Sequence, residues 1–215
     1  MSTFAGWEIV SLPADDEGCC FYLDHYKPFR LAALKREPEA FGSTYNREIN
    51  FVDDDWLNRI RNPLPKTFVA MLSDSKQILS ATSLIGPLPN PDPASNPFQA
   101  SSEMRDERDH HHNNSEASSM SFQITGVYTA PQARGQGLAK KVVRTATEWA
   151  VGHAKKQNGH LALSVIVYAT NTGAIAFYES CGFVASPDGP KRSFNAVKNP
   201  FADEICMHYI TGSLS

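Results

Sequence analysis

Two glycines and two basic side chains occupy one short segment, TAPQARGQGLAK at 129–140, between a strand-like and a helix-like stretch. Gly135 and Gly137 let the backbone approach a ligand closely, because glycine has no Cβ atom. A loop that leaves a strand and starts a helix also presents the free N–H groups and the positive dipole end of that helix. The segment therefore indicates a loop that binds an anion such as a phosphate.

Known phosphate loops differ in the residues that this segment would have to supply. A dinucleotide loop needs a third glycine where Lys140 stands, and an acidic residue about 20 positions further on, near Lys155. A Walker A loop needs a lysine directly after its second glycine, and Gly137 is followed by Leu138. What remains is Q-x-x-G-x-G, starting at Gln132 with Arg134 inside it. Taken alone, this pattern is also compatible with the glycine-rich start of a helix that binds no ligand.

A second pattern, NTGAIAFYESCGF at 171–183, follows an apolar strand candidate at 160–170. Asn171, Ala174 and Tyr178 are spaced i, i+3 and i+7, which places them on one helix face. With a strand at 120–130 and a helix at 137–157, the order is strand, loop, helix, strand, helix. These features resemble the GNAT acetyltransferase superfamily, whose motif N-x-x-A-x-x-x-Y-x-x-x-G-F is complete here and ends at Gly182 and Phe183.

The resemblance implies an α/β GNAT fold: a mixed, mostly antiparallel sheet that splays between its fourth and fifth strands and is flanked by helices. It also implies an N-acetyltransferase in which an amine attacks acetyl-CoA directly. The cosubstrate would lie along the strand before the loop, with its pyrophosphate on the loop amides. The residues implied to bind it are Val127, Tyr128, Thr129, Gln132, Arg134, Gly135, Gln136, Gly137, Leu138, Ala139 and Asn171.

For catalysis, the resemblance implies a proton donor but does not identify the base. Tyr178 stands where the family has the acid that protonates the departing thiolate. Gln123 stands where histone-type members have a glutamate, and an amide cannot accept a proton in this range. A remote acid or histidine acting through water, or no dedicated base, remain alternatives; His208 is the candidate among the histidines.

The whole chain of 215 residues is predicted to form one domain with a long insertion. Strands are predicted at 7–12, 66–73, 77–86 and 204–210, and helices within 25–42 and at 53–62. Residues 87–118 are rich in Pro, Ser, Asn and charge, which predicts a flexible insertion between strands.

Composition excludes several classes of protein. The net charge of −3 argues against a nucleic-acid partner. Four cysteines without C-x-x-C spacing indicate neither a zinc site nor a disulfide framework. The consecutive histidines at 110–112 lack the spacing of a closed metal site, so no metal is expected. With no signal peptide and no membrane-length apolar run, we expect a cytoplasmic protein, monomeric or homodimeric, without a membrane partner.

Two further functions are compatible with these residues. One is a catalytically silent acyl-CoA-binding domain, for which Gln123 is the argument. The other is an interaction domain whose glycine loop binds no cofactor. The leading prediction is acetyl transfer to the amine of a small molecule or peptide.

Overall fold

The computed structural model describes residues 6–88, 119–195, 197 and 199–210. Almost all of the predicted insertion at 87–118, including the three histidines, lies outside the described residues. Within the described ranges, no helix is long and apolar enough to cross a membrane.

Strands and helices follow most of the predicted boundaries. The described strands are β1 Trp7–Ser11, β2 Pro65–Leu72, β3 Ile78–Leu88, β4 Ser119–Thr129, β5 His160–Tyr168, β6 Phe183–Ala185, β7 Lys191–Asn195 and β8 Asn199–Tyr209. The described α-helices are α1 Asp16–Phe21, α2 Lys27–Arg36, α3 Tyr45–Glu48, α4 Asp53–Arg61, α5 Leu138–Lys156 and α6 Thr172–Ser180. A π-helical turn, Tyr22–Tyr26, joins α1 to α2, and 3-10 turns lie at Pro38–Ala40 and Pro131–Ala133. The sequence did not predict α1, α3, β6 or β7.

The sheet of the described chain has the order β1-β2-β3-β4-β5-β8-β6, with β7 paired to β8. The β4–β5 pair is parallel, and the other neighbouring strands are antiparallel. The parallel pair is possible because α5 carries the chain back across the sheet between the two strands. This mixed, mostly antiparallel sheet with flanking helices confirms the predicted fold.

The β4–β5 pair separates before either strand ends. Its paired residues run from Ser119 opposite His160 to Ile124 opposite Val165. Beyond these positions β4 continues to Thr129 and β5 to Tyr168, but the two strands no longer pair with each other. The register between β3 and β4 also shifts here, and Gly126 has a φ of +63°. A bulge in β4 thus marks the point from which a slot opens between β4 and β5.

Helices cover the two faces of the sheet with separate apolar clusters. On one face α5 and α6 pack over β3, β4, β5 and β8, and this main core includes Phe122, Val142 and Leu163. On the other face the N-terminal helices pack over β1, β2 and β3, around Trp56 and Val69. The sheet in which β4 and β5 separate is therefore covered by a different apolar cluster on each face.

Candidate active site

The predicted phosphate loop enters α5 with both glycines in the left-handed region. Gly135 and Gly137 have φ values of +75° and +73°, and a Cβ atom at either position would meet nothing within 4 Å. The first α5 hydrogen bond runs from Lys141 N–H to the Gly137 carbonyl oxygen, at 3.1 Å. Within the described chain, the N–H groups of residues 135–140 therefore have no backbone partner. Free amides, two open glycines and a helix dipole suit a phosphate.

An open cavity of about 250 Å³ lies beside this loop, in the splay of the sheet. The residues that line it come from β4, the phosphate loop, α6 and the segment after α2: Val127, Tyr128, Thr129, Arg134, Ala139, Phe177, Glu37, Ala40 and Phe41. Five of the predicted cosubstrate residues thus share one cavity, which we call the slot. Phe177 and the segment after α2 were not identified from the sequence.

Three other predicted residues occupy different surroundings. Leu138 is 2% exposed and belongs to the main core. Asn171 caps α6, because its side chain accepts a hydrogen bond from the Ala174 N–H at 3.0 Å. Gln132 lies in the 3-10 turn before the loop and lines a neighbouring cavity on the α2 side.

Arg134 is the basic residue of the slot. Its Nε donates to the Thr129 carbonyl oxygen at 3.1 Å. A terminal guanidinium nitrogen lies 2.8 Å from a Glu37 carboxylate oxygen. Its guanidinium carbon is 5.7 Å from the centre of the Tyr128 ring. The side chain therefore lies across the slot from β4 to the segment after α2.

Tyr178 is 5% exposed and packs in the main core. Its ring lies 5.1 Å from the Phe177 ring and 5.7 Å from the Phe183 ring, between centroids. Burial raises the pKa of its hydroxyl well above the usual range, and the neighbouring Cys181 adds to the rise. Tyr178 therefore stays protonated at neutral pH, as a proton donor must.

Gln123, at the position where other members have the base, and the candidate histidine His208 both lie away from the slot lining. Gln123 is 3% exposed and sits in the paired half of β4, opposite Ile85 and Ser164. His208 lies on β8, where it pairs with Ser164 of β5, and its Nε2 is 3.6 Å from the Cys206 sulfur. In the part of the chain that the structure describes, Glu37 is the carboxylate that lines the slot.

The side of the slot away from α5 is closed by residues 37–42, which we call the wall segment. Glu37, Ala40 and Phe41 line the slot directly. At its far end, the Asn195 side chain donates a hydrogen bond to the Gly42 carbonyl oxygen at 2.9 Å. This contact joins positions 153 residues apart and was not predicted from the sequence.

A buried ion cluster supports this wall from behind. Glu48 is 1% exposed and accepts two hydrogen bonds from Arg30, at 3.0 and 3.2 Å, and one from Arg59 at 3.1 Å. The Arg30 guanidinium also lies 4.7 Å from the centre of the Phe41 ring. Burial opposes ionisation of Glu48, but the two arginines outweigh it and lower its pKa to about 2. The wall segment therefore rests on a fixed positive group. Among the described residues, no group of His, Cys, Asp and Glu could hold a metal ion.

Comparison with known proteins agrees with this geometry. Residues 100–183 match the acetyltransferase (GNAT) family. The chain matches no curated protein. Among solved structures, it resembles the ribosomal-protein-S5-alanine acetyltransferase from Vibrio fischeri at 13% identity and a TM-score of 0.61, covering 100% of this chain and 98% of that one.

Two further structures show the same fold. Arabidopsis thaliana NAA60 in complex with acetyl-CoA has 11% identity and a TM-score of 0.59, over 95% of this chain and 98% of that one. Spermidine N-acetyltransferase from Vibrio cholerae, in complex with CoA and spermine, has 16% identity and a TM-score of 0.52, over 95% of both chains. The family match and the fold therefore agree: residues 100–183 match the GNAT acetyltransferase family, and the described chain has the fold of these solved acetyltransferases.

Proposed function

We propose that this chain is an N-acetyltransferase that transfers the acetyl group of acetyl-CoA to an amine by direct attack. The observation that carries the proposal is the pairing of a phosphate loop with a slot. Free amides at 135–140 adjoin a cavity that opens where β4 and β5 separate. An extended molecule with a phosphate at one end fits this arrangement.

The residues present suit acetyl-CoA. The amides of the loop and the Arg134 guanidinium would bind its phosphates, since a helix N-terminus and a planar cation both favour such groups. Val127, Tyr128 and Thr129 would lie along its chain. When bound, acetyl-CoA supplies a thioester whose carbonyl carbon accepts the amine. A carbonyl oxygen that gains negative charge is stabilised by a backbone N–H donor, and we assign this role to Val127 or Tyr128.

Proton movements complete the proposed reaction. The amine must arrive neutral, because an ammonium has no lone pair. As the carbon–nitrogen bond forms and the carbon–sulfur bond breaks, Tyr178 would give its proton to the leaving sulfur. Water would accept the proton that the nitrogen loses, since Gln123 cannot. Tyr178 would then recover its proton from solvent.

A two-part experiment tests this function. We expect CoA to raise the melting temperature, because it binds only the folded chain. We also expect release of free CoA from acetyl-CoA with at least one of three amines: spermidine, a peptide with a free N-terminus, or a blocked peptide with one lysine. An unchanged melting temperature at about millimolar CoA would refute binding.

A catalytically silent acyl-CoA-binding domain is the second candidate. It is favoured by the position of Gln123 and by a slot whose lining in the described chain has one carboxylate, Glu37. Stabilisation by CoA without CoA release for any of the three amines would support this candidate and refute the transferase.

A further inference from the structure

Asn195 is a buried polar residue whose side-chain amide forms a hydrogen bond through both its nitrogen and its oxygen. It is 7% exposed, at the end of β7. Its Nδ2 donates to the Gly42 carbonyl oxygen at 2.9 Å, and its Oδ1 accepts from the Val197 N–H at 3.0 Å. One side chain thus fastens the wall segment and the turn after β7 to each other.

Tyr168 takes part in the same contact. It is the last residue of β5, on the side of the slot opposite β4. Its hydroxyl is hydrogen-bonded to the Asn195 side chain, and it lies 3.8 Å from the place that a Cβ on Gly42 would occupy. Asn195, Tyr168 and Gly42 therefore join three separate pieces of chain at the end of the slot.

The junction of Asn195, Tyr168 and Gly42 lies on the side of the slot from which the acceptor amine would enter. The phosphate loop and Arg134 bound the slot at the α5 side, and Ala40 and Phe41 bound it at the other. A thioester whose phosphates lie on the loop has its acyl end toward the wall segment. The amine must then enter past the wall segment and the end of β5, which the junction holds together.

We propose that Asn195 is a positioning residue for the acceptor amine, acting through the wall segment. This inference rests on the proposed acetyltransferase function. Asn195 lines neither the slot nor the phosphate loop, so its effect falls on acceptor binding and leaves the cosubstrate site intact. β7 pairs only with β8 among the described strands, and the Gly42 contact connects this hairpin to the wall segment.

The test uses the full-length chain and three variants. Asn195→Ala removes the amide, and Asn195→Asp keeps the oxygen for Val197 but turns a carboxylate toward the Gly42 carbonyl oxygen. Asn58→Ala is the matched control, because Asn58 is exposed on α4. The measurements are CoA affinity by calorimetry, amide exchange of residues 41–45 by mass spectrometry, and KM and kcat for whichever of the three amines the wild type acetylates.

We expect both Asn195 variants to raise the acceptor KM by about fivefold to tenfold, the effect of one lost buried hydrogen bond. We also expect faster exchange at 41–45, with kcat and CoA affinity within about twofold of wild type. An unchanged KM and unchanged exchange would overturn the inference, as would parallel losses of melting temperature, CoA affinity and kcat. A wild type that binds CoA and acetylates no amine instead refutes the proposed function, and the acceptor role of Asn195 with it.

Discussion

The Arg134 guanidinium and the Glu37 carboxylate form an ion pair of 2.8 Å across the slot, between the phosphate loop and the wall segment. Both side chains are partly exposed, at 48% and 39%. An exposed pair of this kind stabilises a protein by about 0–1 kcal/mol. A phosphate can therefore take Arg134 from Glu37 at little cost in stability.

The first prediction is that Arg134 and Glu37 have different effects on the affinity for CoA. Arg134→Gln removes a charge-assisted contact with phosphate and should weaken CoA binding by about tenfold. Glu37→Gln should leave the affinity unchanged or raise it, because it removes the competing carboxylate. Calorimetry with CoA measures both, and Arg144→Gln, from an exposed pair on α5, is the control. Equal losses for Arg134→Gln and Arg144→Gln would contradict a phosphate contact at Arg134.

The second prediction concerns the left-handed glycine before α5. Gly137→Val places a β-branched side chain at a φ of +73° and among the amides that would bind phosphate. We expect it to abolish the rise in melting temperature that CoA causes in the wild type. Gly152→Ala is the control, because a Cβ there meets nothing within 4 Å and the position is inside α5. It should stabilise the chain by about 1 kcal/mol and keep the CoA effect. A Gly137→Val chain that still responds to CoA would show that the loop amides do not bind it.

Much of this fold could be predicted because its signals are local. The periodic spacing of apolar residues predicts β4 and α5, and a continuous apolar run predicts β5, because each pattern reflects which side chains are buried. Glu37 precedes a proline, which disfavours helix, and α2 ends at Arg36. The side chain of Asn171 caps α6 as its residue type indicates.

The wall of the slot could not be predicted in the same way. β7 reads KRSFN, a polar segment that is held as a strand by pairing with β8. Asn195 and Gly42 are far apart in the sequence, and a single polar contact between such distant positions produces no periodic pattern of residue types that could predict it. The spacing of α6 identified a helix face, but packing decides its exact rotation. In the structure Phe177 lines the slot while Tyr178 is buried beside it.

The third prediction tests the proposed proton donor. Tyr178→Phe removes one oxygen, so the melting temperature and CoA affinity should change little. Turnover should fall by about 10²-fold, the low end for a lost general acid, because a thiolate is already a fair leaving group. Burial raises the pKa of Tyr178 above its ordinary value, so the hydroxyl stays protonated up to about pH 10. Any alkaline fall in wild-type activity below that pH should therefore persist in the variant. Tyr209→Phe, on β8, is the control, and full activity of Tyr178→Phe would assign the proton to water.

The last prediction concerns the ion cluster behind the wall segment. Glu48 has a pKa of about 2 in the folded chain, against an ordinary value of 4.5, because Arg30 and Arg59 outweigh its desolvation. A lowered pKa means that the carboxylate stabilises the fold above about pH 4.5, and that this contribution is lost as the pH falls toward 2.

Glu48→Gln leaves two guanidinium groups without their anion, so at pH 7 it should lower the free energy of unfolding by about 3 kcal/mol. The difference between wild type and variant should shrink as the pH is lowered from about 5 to 3, because in this range the unfolded wild type takes up a proton at Glu48 while the folded chain keeps the carboxylate ionised. Urea unfolding at several pH values measures this, with Glu148→Gln as a control, since that exposed helical pair contributes about 0.5 kcal/mol or less. A difference between wild type and Glu48→Gln that stays constant over this pH range would show that the charge of Glu48 does not stabilise the fold.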